Sequence, residues 1–173
     1  ATLVLETAQH AIQRGARIYA ELAGYGNTSD AFHDTVPSGE GAVRAMRKAL
    51  AKAGINPLEI NYINARGTST VVGDGIELDA LCEVFGEGLK KIPVSSTKSS
   101  TGHQLGAAGA IEAVICIKAV EEGIIPPTLN LKKPIRENID LIRRVRRKKI
   151  GIAMSNSFGF GGINSVLIFR RFN

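Results

Sequence analysis

The spacing of apolar positions changes repeatedly along the chain, and each change marks an element. "TLVLE" (2–6) and "RIYAELAGYG" (17–26) alternate as strands, with "TAQHAIQRG" (7–15) between them as a short helix ending at Gly15. "EGAVRAMRKALAKAG" (40–54) puts Val43, Met46, Leu50 and Ala53 on one helical face and Arg44, Arg47, Lys48 and Lys52 off it, with Gly54 as the stop. "EINYIN" (59–64), "KIPVSST" (91–97), "IGIAMSN" (150–156) and "SVLIFR" (165–170) read as further strands, and "DGIELDALCEVFG" (74–86) as a helix. "GAAGAIEAVICIKAVEEG" (106–123) is helical and apolar nearly all round, which predicts burial between layers. Strands alternating with helices predict an α/β fold, a mixed and mostly parallel sheet with helices on both faces. The last two strands flank "SFGFGGIN" and are close enough for a C-terminal antiparallel hairpin. No linker, repeat or low-complexity stretch divides residues 1–173, which read as one domain or one large lobe.

Composition narrows this picture. Hydrophobic residues at 44% and charged residues at 22% fit a folded globule. With three Tyr, six Phe and no Trp, the core must be built from aliphatic side chains. Cys82 and Cys116 lie in helical apolar patterns and match no metal or disulfide spacing, so they are expected as core thiols in a reducing compartment. No signal peptide is visible. The apolar run 105–120 contains Glu112 and Lys118 and is shorter than the roughly 20 residues of a membrane span. "ATLVLE" begins as a strand already under way, without Met, and is expected to be cut from something longer. The net charge of +6 fits either ordinary solubility or an acidic partner. Nucleic acid is disfavoured, because stacking aromatics and a reader motif are both missing.

Three segments at predicted strand ends are rich in Gly, Ser and Thr: "NARGTST" (64–70), "SSTKSSTGHQLGAAGA" (95–110) and "NSFGFGGIN" (156–164). Sites in open α/β sheets form beyond the carboxyl ends of strands, so three such loops are expected to converge on one pocket. "NTSDAFHDTVPSG" (27–39) is a long polar loop with no role readable from its residues. Glu112 stands out on physical grounds, since an unpaired buried carboxylate is costly. Lys98 or His103 would serve as its partner. His10 and His33 read as structural or surface residues.

"SSTKSSTGHQLGAAGAIEA" with "SNSFGFGGINS" resembles the β-ketoacyl-acyl-carrier-protein synthases of fatty acid synthesis. "RGARIYAELAGYG", "SDAFH", "INYINARGTST", Gly73-Asp74 and "PPTLNL" add to the resemblance in the right order. It runs almost end to end and implies the carboxyl-terminal half of a thiolase-like fold. It further implies decarboxylative Claisen condensation, in which a cysteine thioester is attacked by the carbanion left when malonyl carrier protein loses CO₂. Fixed donors must then face the developing enolate oxygen. The family draws these from two histidines, in "HGTST" and "KSxTGH". His103 matches the second. Lys98 is implied as its charged structural partner and Glu112 as an orienting carboxylate. Thr68 and Thr70 are implied to bind the pantetheine arm. The Phe160 N–H is implied in the oxyanion hole, its ring as a gate, with Gly159, Gly161 and Gly162 giving the turn freedom. No metal or resident cofactor is implied, because the substrate travels on the phosphopantetheine of acyl carrier protein. The implied partners are that carrier and either an amino-terminal half or a second copy. The implied location is the cytoplasm or an organelle matrix.

Two departures qualify the resemblance. The cysteine nucleophile would lie in the amino-terminal half, and neither Cys82 nor Cys116 sits at a strand-to-helix elbow. Arg66 stands where the family has its first histidine. Imidazole gives one aimed hydrogen bond, whereas a guanidinium has five donors, a longer stem and a fixed charge, and is expected to intrude on the pantetheine tunnel. The chain alone is therefore expected to be inactive, with a non-catalytic partner of the chain-length-factor kind as the alternative. Arg143, Arg144, Arg146, Arg147, Lys148 and Lys149 form a basic run that reads either as a solvated face or as a dock for the acidic carrier.

Overall fold

The computed structural model describes residues 1–172. In chain order the elements are α1 (Ala8–Gln13), β1 (Glu21–Ser29), α2 (Glu40–Ala53), β2 (Tyr62–Asn64), α3 (Val71–Phe85), β3 (Val94–Ser95), α4 (Lys98–Thr101), α5 (Ala108–Glu122), β4 (Ile124–Ile125), β5 (Arg146–Arg147), β6 (Ile152–Phe158) and β7 (Ile163–Arg170). The main sheet has the order β1-β7-β6-β2-β3. β7 pairs antiparallel with both β1 and β6, while β6, β2 and β3 pair in parallel. Four of the five strands therefore point one way and only β7 runs against them. The expected mostly parallel sheet and closing hairpin are both present. β4 and β5 form a separate two-stranded ribbon.

The sheet is covered on both faces. α2 and α3 pack with Ile63, Met154, Val166 and Ile168 on one side. α5 packs with Tyr62, Ala153 and Phe169 on the other. The α5 contact is one-sided, however. Ala113, Cys116, Ala119 and Val120 are buried against the sheet, whereas Val114 and Lys118 point to solvent. The expected burial between two layers is thus half met within this chain.

Two sequence expectations shift. "TLVLE" is not a strand: it pairs with nothing, and Val4 and Leu5 are exposed. Alternation makes a strand only where a sheet edge accepts its hydrogen bonds. β1 starts later and runs further than 17–26, because pairing of Asn27, Thr28 and Ser29 with Ser165, Asn164 and Ile163 overrides their turn-like polarity. The 136–149 segment is largely irregular, with Arg146–Arg147 as its only strand.

α2 lies unusually close to β1. Gly24 and Gly26 occupy the inward face of the strand, opposite the small side chains Ala45, Ala49 and Ala53. A Cβ on Gly26 would sit 2.0 Å from the Ala45 carbonyl oxygen and 2.8 Å from the Ala49 nitrogen. Neither backbone atom can yield without moving the helix. Gly26→Ala is therefore expected to cost on the order of 1–3 kcal/mol, as overpacking does, read as a lower urea midpoint at unchanged slope. An unchanged midpoint would show that the helix can shift freely on the strand.

Candidate active site

The carboxyl ends of β2, β3 and β6 lie side by side, and each carries polar residues into the interior. Asn64 and Ser95 end β2 and β3, and Asn156 sits near the end of β6; all three are buried. The Asn64 Nδ2 donates to Thr97 Oγ1 at 3.1 Å, and Tyr62 shares a 2.9 Å hydrogen bond with Ser95 Oγ. These pairs join β2 to β3 through side chains beyond the reach of the short backbone ladder.

Glu77 on α3 spans the same ends. Its Oε1 accepts from the Arg66 backbone N–H at 2.9 Å and from Asn156 Nδ2 at 3.2 Å, and its Oε2 accepts from the Gly67 N–H at 2.9 Å. The residue is only 4% exposed. Burial pushes its carboxyl up from the ordinary range, and the three donors together with the Lys98 charge oppose that shift. Sequence reading missed Glu77. The signal that identified Glu112, a carboxylate on the apolar side of a helix, is also present here, one turn before the buried Leu81.

Lys98 forms an ion pair with Glu112, its own side chain 8% and its partner's 2% exposed. Burial raises the Glu112 carboxyl, the Lys98 contact lowers it, and nearby Glu77 raises it again. One ammonium thus faces two buried carboxylates. The expected partner of Glu112 is present, and it is lysine rather than histidine.

An open cleft of about 630 Å³ lies over this polar floor. Lys98, His103, Gly67, Thr68, Ser69 and Asp74 are on its wall, together with 128–133 from beyond α5. His103 Nδ1 accepts from the Leu105 N–H at 3.1 Å. In the neutral ring the proton therefore sits on Nε2, which is free to donate. Ser96 Oγ donates to the Gly67 carbonyl at 2.7 Å, holding the 64–70 loop to the 95–110 loop. Ser69 and Leu105, one on each loop, both have positive φ (63° and 49°), the kind of strain that concentrates at functional sites.

Arg66, Thr70 and Phe160 are not on the cleft wall, and neither is Glu112, the partner of Lys98. The Arg66 guanidinium turns toward the first turn of α3. Its Nη1 lies 3.2 Å from where a Gly73 Cβ would be, beside the hydroxyls of Thr70 and Thr68. Its charge also acts on Asp74, whose carboxyl is raised mainly by burial. The guanidinium thus lies near the two threonines that the resemblance implies for pantetheine, and these bond one another at 3.2 Å. Thr70 is the N-cap residue of α3 but makes no side-chain capping bond. Phe160 is 68% exposed on the β6–β7 turn. That turn is tied to the 30–38 loop instead: the Gly161 N–H donates to the Asp34 carbonyl and the Asp30 N–H to the Gly162 carbonyl. Gly162 has φ 74°, and a Cβ there would lie 1.8 Å from Asp30 Oδ1, so only glycine fits. "SDAFH" thereby acquires a structural role, as the bed of the Phe160 turn. Cys116 is fully buried and its thiol is pushed far above the ordinary range, which removes it as a nucleophile.

The Lys98–Glu112 pair yields a signed expectation. A carboxyl whose folded pKa is raised contributes its stability below the unfolded value, 4.5, and loses it as pH rises through the folded value. Lys98→Met removes the ammonium that opposes that rise. The variant should be nearest to the parent at about pH 4.5 and fall behind toward neutrality, by about 3–5 kcal/mol, as for a broken buried pair. Lys98→Met/Glu112→Gln should recover most of the loss. Urea midpoints across this range would contradict the assignment if the deficit were independent of pH.

The sequence matches the family "Beta-ketoacyl synthase, C-terminal domain" over residues 19–132. It is 53% identical over 174 residues to the 3-oxoacyl-[acyl-carrier-protein] synthase 2 of Rhizobium meliloti (strain 1021), covering 98% of this chain and 41% of that one. The synthase of the same name from Staphylococcus aureus (strain COL) is 48% identical, with 98% and 42% covered. The chain thus spans about two-fifths of the curated relatives it matches. Among solved structures, a β-ketoacyl synthase from Burkholderia phymatum superposes with TM-score 0.91 at 44% identity, covering 97% of this chain and 41% of that one. The ishigamide ketosynthase/chain length factor gives TM-score 0.91 at 38% identity, with 97% and 42% covered.

Proposed function

The chain belongs to the β-ketoacyl synthase family, whose carboxyl-terminal domain it matches, and we propose that it is the carboxyl-terminal part of a 3-oxoacyl-[acyl-carrier-protein] synthase. The observation that carries this reading is the meeting of the 64–70 loop, Lys98 and His103 at one cleft over a buried polar floor. In the reaction so proposed, His103 Nε2–H faces the thioester oxygen of a malonyl group as CO₂ leaves and enolate charge develops. Lys98 and Glu112 hold the loop that carries the imidazole. The acyl group waits on a cysteine supplied by the amino-terminal part, and the malonyl group arrives on the phosphopantetheine of acyl carrier protein, so no resident cofactor is needed. The 143–149 run offers positive charge to such an acidic carrier. The location that fits is the cytoplasm or an organelle matrix; no helix among the described residues is long and apolar enough to cross a membrane.

Arg66 sets this chain apart from that scheme. Its guanidinium lies near Thr68 and Thr70, so in this reading the second imidazole donor is replaced by a charged group close to the threonines that would bind pantetheine. Losing one oxyanion-type donor costs about 100- to 1,000-fold in rate. The chain is then a blocked condensing half. A second reading, a scaffold of the chain-length-factor kind, is favoured by the same arginine and by the likeness to the ketosynthase/chain length factor structure.

The exposed Val71, Val72, Leu105, Phe160 and Ile163, together with the outer side of α5, support a third element of the proposal. Such apolar surface is seldom left uncovered on a monomer, and an amino-terminal half or a second copy would cover it.

One chimera tests these readings: the amino-terminal part of the Rhizobium meliloti relative placed ahead of this chain. With Arg66, decarboxylation of radiolabelled malonyl carrier protein should be about 100-fold or more below that of the Arg66→His chimera. Equal turnover by both would end the blocked-enzyme reading. Turnover by neither, from folded protein, would favour the scaffold. In sedimentation the 173-residue chain should exceed its monomer mass at micromolar concentration; a stable monomer would remove the covered-face proposal.

A further inference from the structure

Beside the His103 cleft lies a second hollow of about 380 Å³. Lys132, Lys133 and Arg143 face it, Ile139 and Leu141 form an apolar floor, and Glu137 is the one acid on its wall. Lys132 and Lys133 also border the larger cleft, so the two spaces adjoin. None of the three cations is ion-paired among the described residues. Their neighbours behave differently: Arg136 pairs with Asp79, and Arg146 pairs with Asp140. Acids are therefore available on this surface, yet three like charges are left around one concavity over an apolar base. An anion there would relieve their mutual repulsion and gain charge-assisted hydrogen bonds.

We propose that the hollow is a phosphate-binding site, occupied by the phosphate of a small phosphate monoester. A monoester carries about −1.5 to −2 charges near neutrality and three acceptor oxygens, which suits one guanidinium fork and two ammonium groups. A carboxylate would neutralise only one of the three. Single-stranded nucleic acid is a poorer fit, because no aromatic side chain lines the wall to stack a base. The site uses none of the His103 machinery, so it does not depend on the condensing-enzyme reading. That reading does suggest one source of the ester, a pantetheine phosphate whose organic arm lies in the adjoining cleft.

Isothermal titration of the 173-residue chain at low ionic strength tests the site, with inorganic phosphate, 4′-phosphopantetheine and dephosphorylated pantetheine as probes. Inorganic phosphate should bind, and K132Q/K133Q should weaken it about tenfold. K90Q/K91Q removes the same charge elsewhere and should leave binding unchanged. No binding of inorganic phosphate, or equal weakening by both double variants, overturns the proposal. 4′-Phosphopantetheine binding more tightly than inorganic phosphate, and losing that binding in K132Q/K133Q, supports the site with the arm in the cleft. Equal affinity for pantetheine and its phosphate overturns any part for the lysines in holding the arm. Phosphopantetheine no tighter than inorganic phosphate, with both lost in K132Q/K133Q, upholds the site for another monoester and counts instead against the pantetheine reading of the cleft.

Discussion

The site rests on one buried carboxylate. Glu77 accepts hydrogen bonds from two consecutive backbone amides of the 64–70 loop and from the Asn156 side chain on β6. A helix, a loop and a strand are thereby fixed to one another through the two carboxylate oxygens of one α3 residue. A carboxylate is expensive to bury, and three donors are what make its burial tolerable. The same requirement constrains the geometry, because each oxygen is satisfied by an amide of the loop held against α3. Lys98 stands within the field of Glu77 and pairs with Glu112, so the fixed loop is electrostatically joined to the loop that carries His103.

The sheet explains why this constraint falls where it does. β2, β3 and β6 run parallel, so their carboxyl ends and the loops that follow are neighbours by construction. β2 and β3 are short, with three and two residues, and backbone pairing alone would hold their ends weakly. Tyr62 with Ser95 and Asn64 with Thr97 supply side-chain bonds across the same gap. β7 runs against the rest and returns the chain to β1, where the Phe160 turn meets the 30–38 loop rather than the His103 cleft. Two mechanical units result: a rigid polar floor under His103, and a solvent-facing turn bedded on "SDAFH".

Much of this was legible in residues. Period changes gave the helices 40–54, 74–86 and 106–123 to within a few positions, since glycine stops and apolar stripes act locally. Glu112 was legible as a charge in an apolar helix, and its partner proved to be one of the two named. What escaped were features set by distant neighbours. "TLVLE" alternates but finds no edge, and Asn27–Ser29 look like a turn but are claimed by β7. Glu77 carried the same signal as Glu112, yet its partners are backbone amides, which no side-chain pattern announces. The place of Arg66 could be named from its motif, but the direction of its guanidinium follows from Asp74 and the α3 terminus.

Amide hydrogen exchange at Arg66 and Gly67 tests the central claim most directly. If the Glu77 carboxylate holds both N–H groups, they exchange slowly despite lying in a loop. In Glu77→Gln both should then speed up together, while the β1–β7 ladder amides keep their protection. Exchange at the rate of an unprotected loop in the parent protein, or rates indifferent to that substitution, would contradict a site organised by this carboxylate.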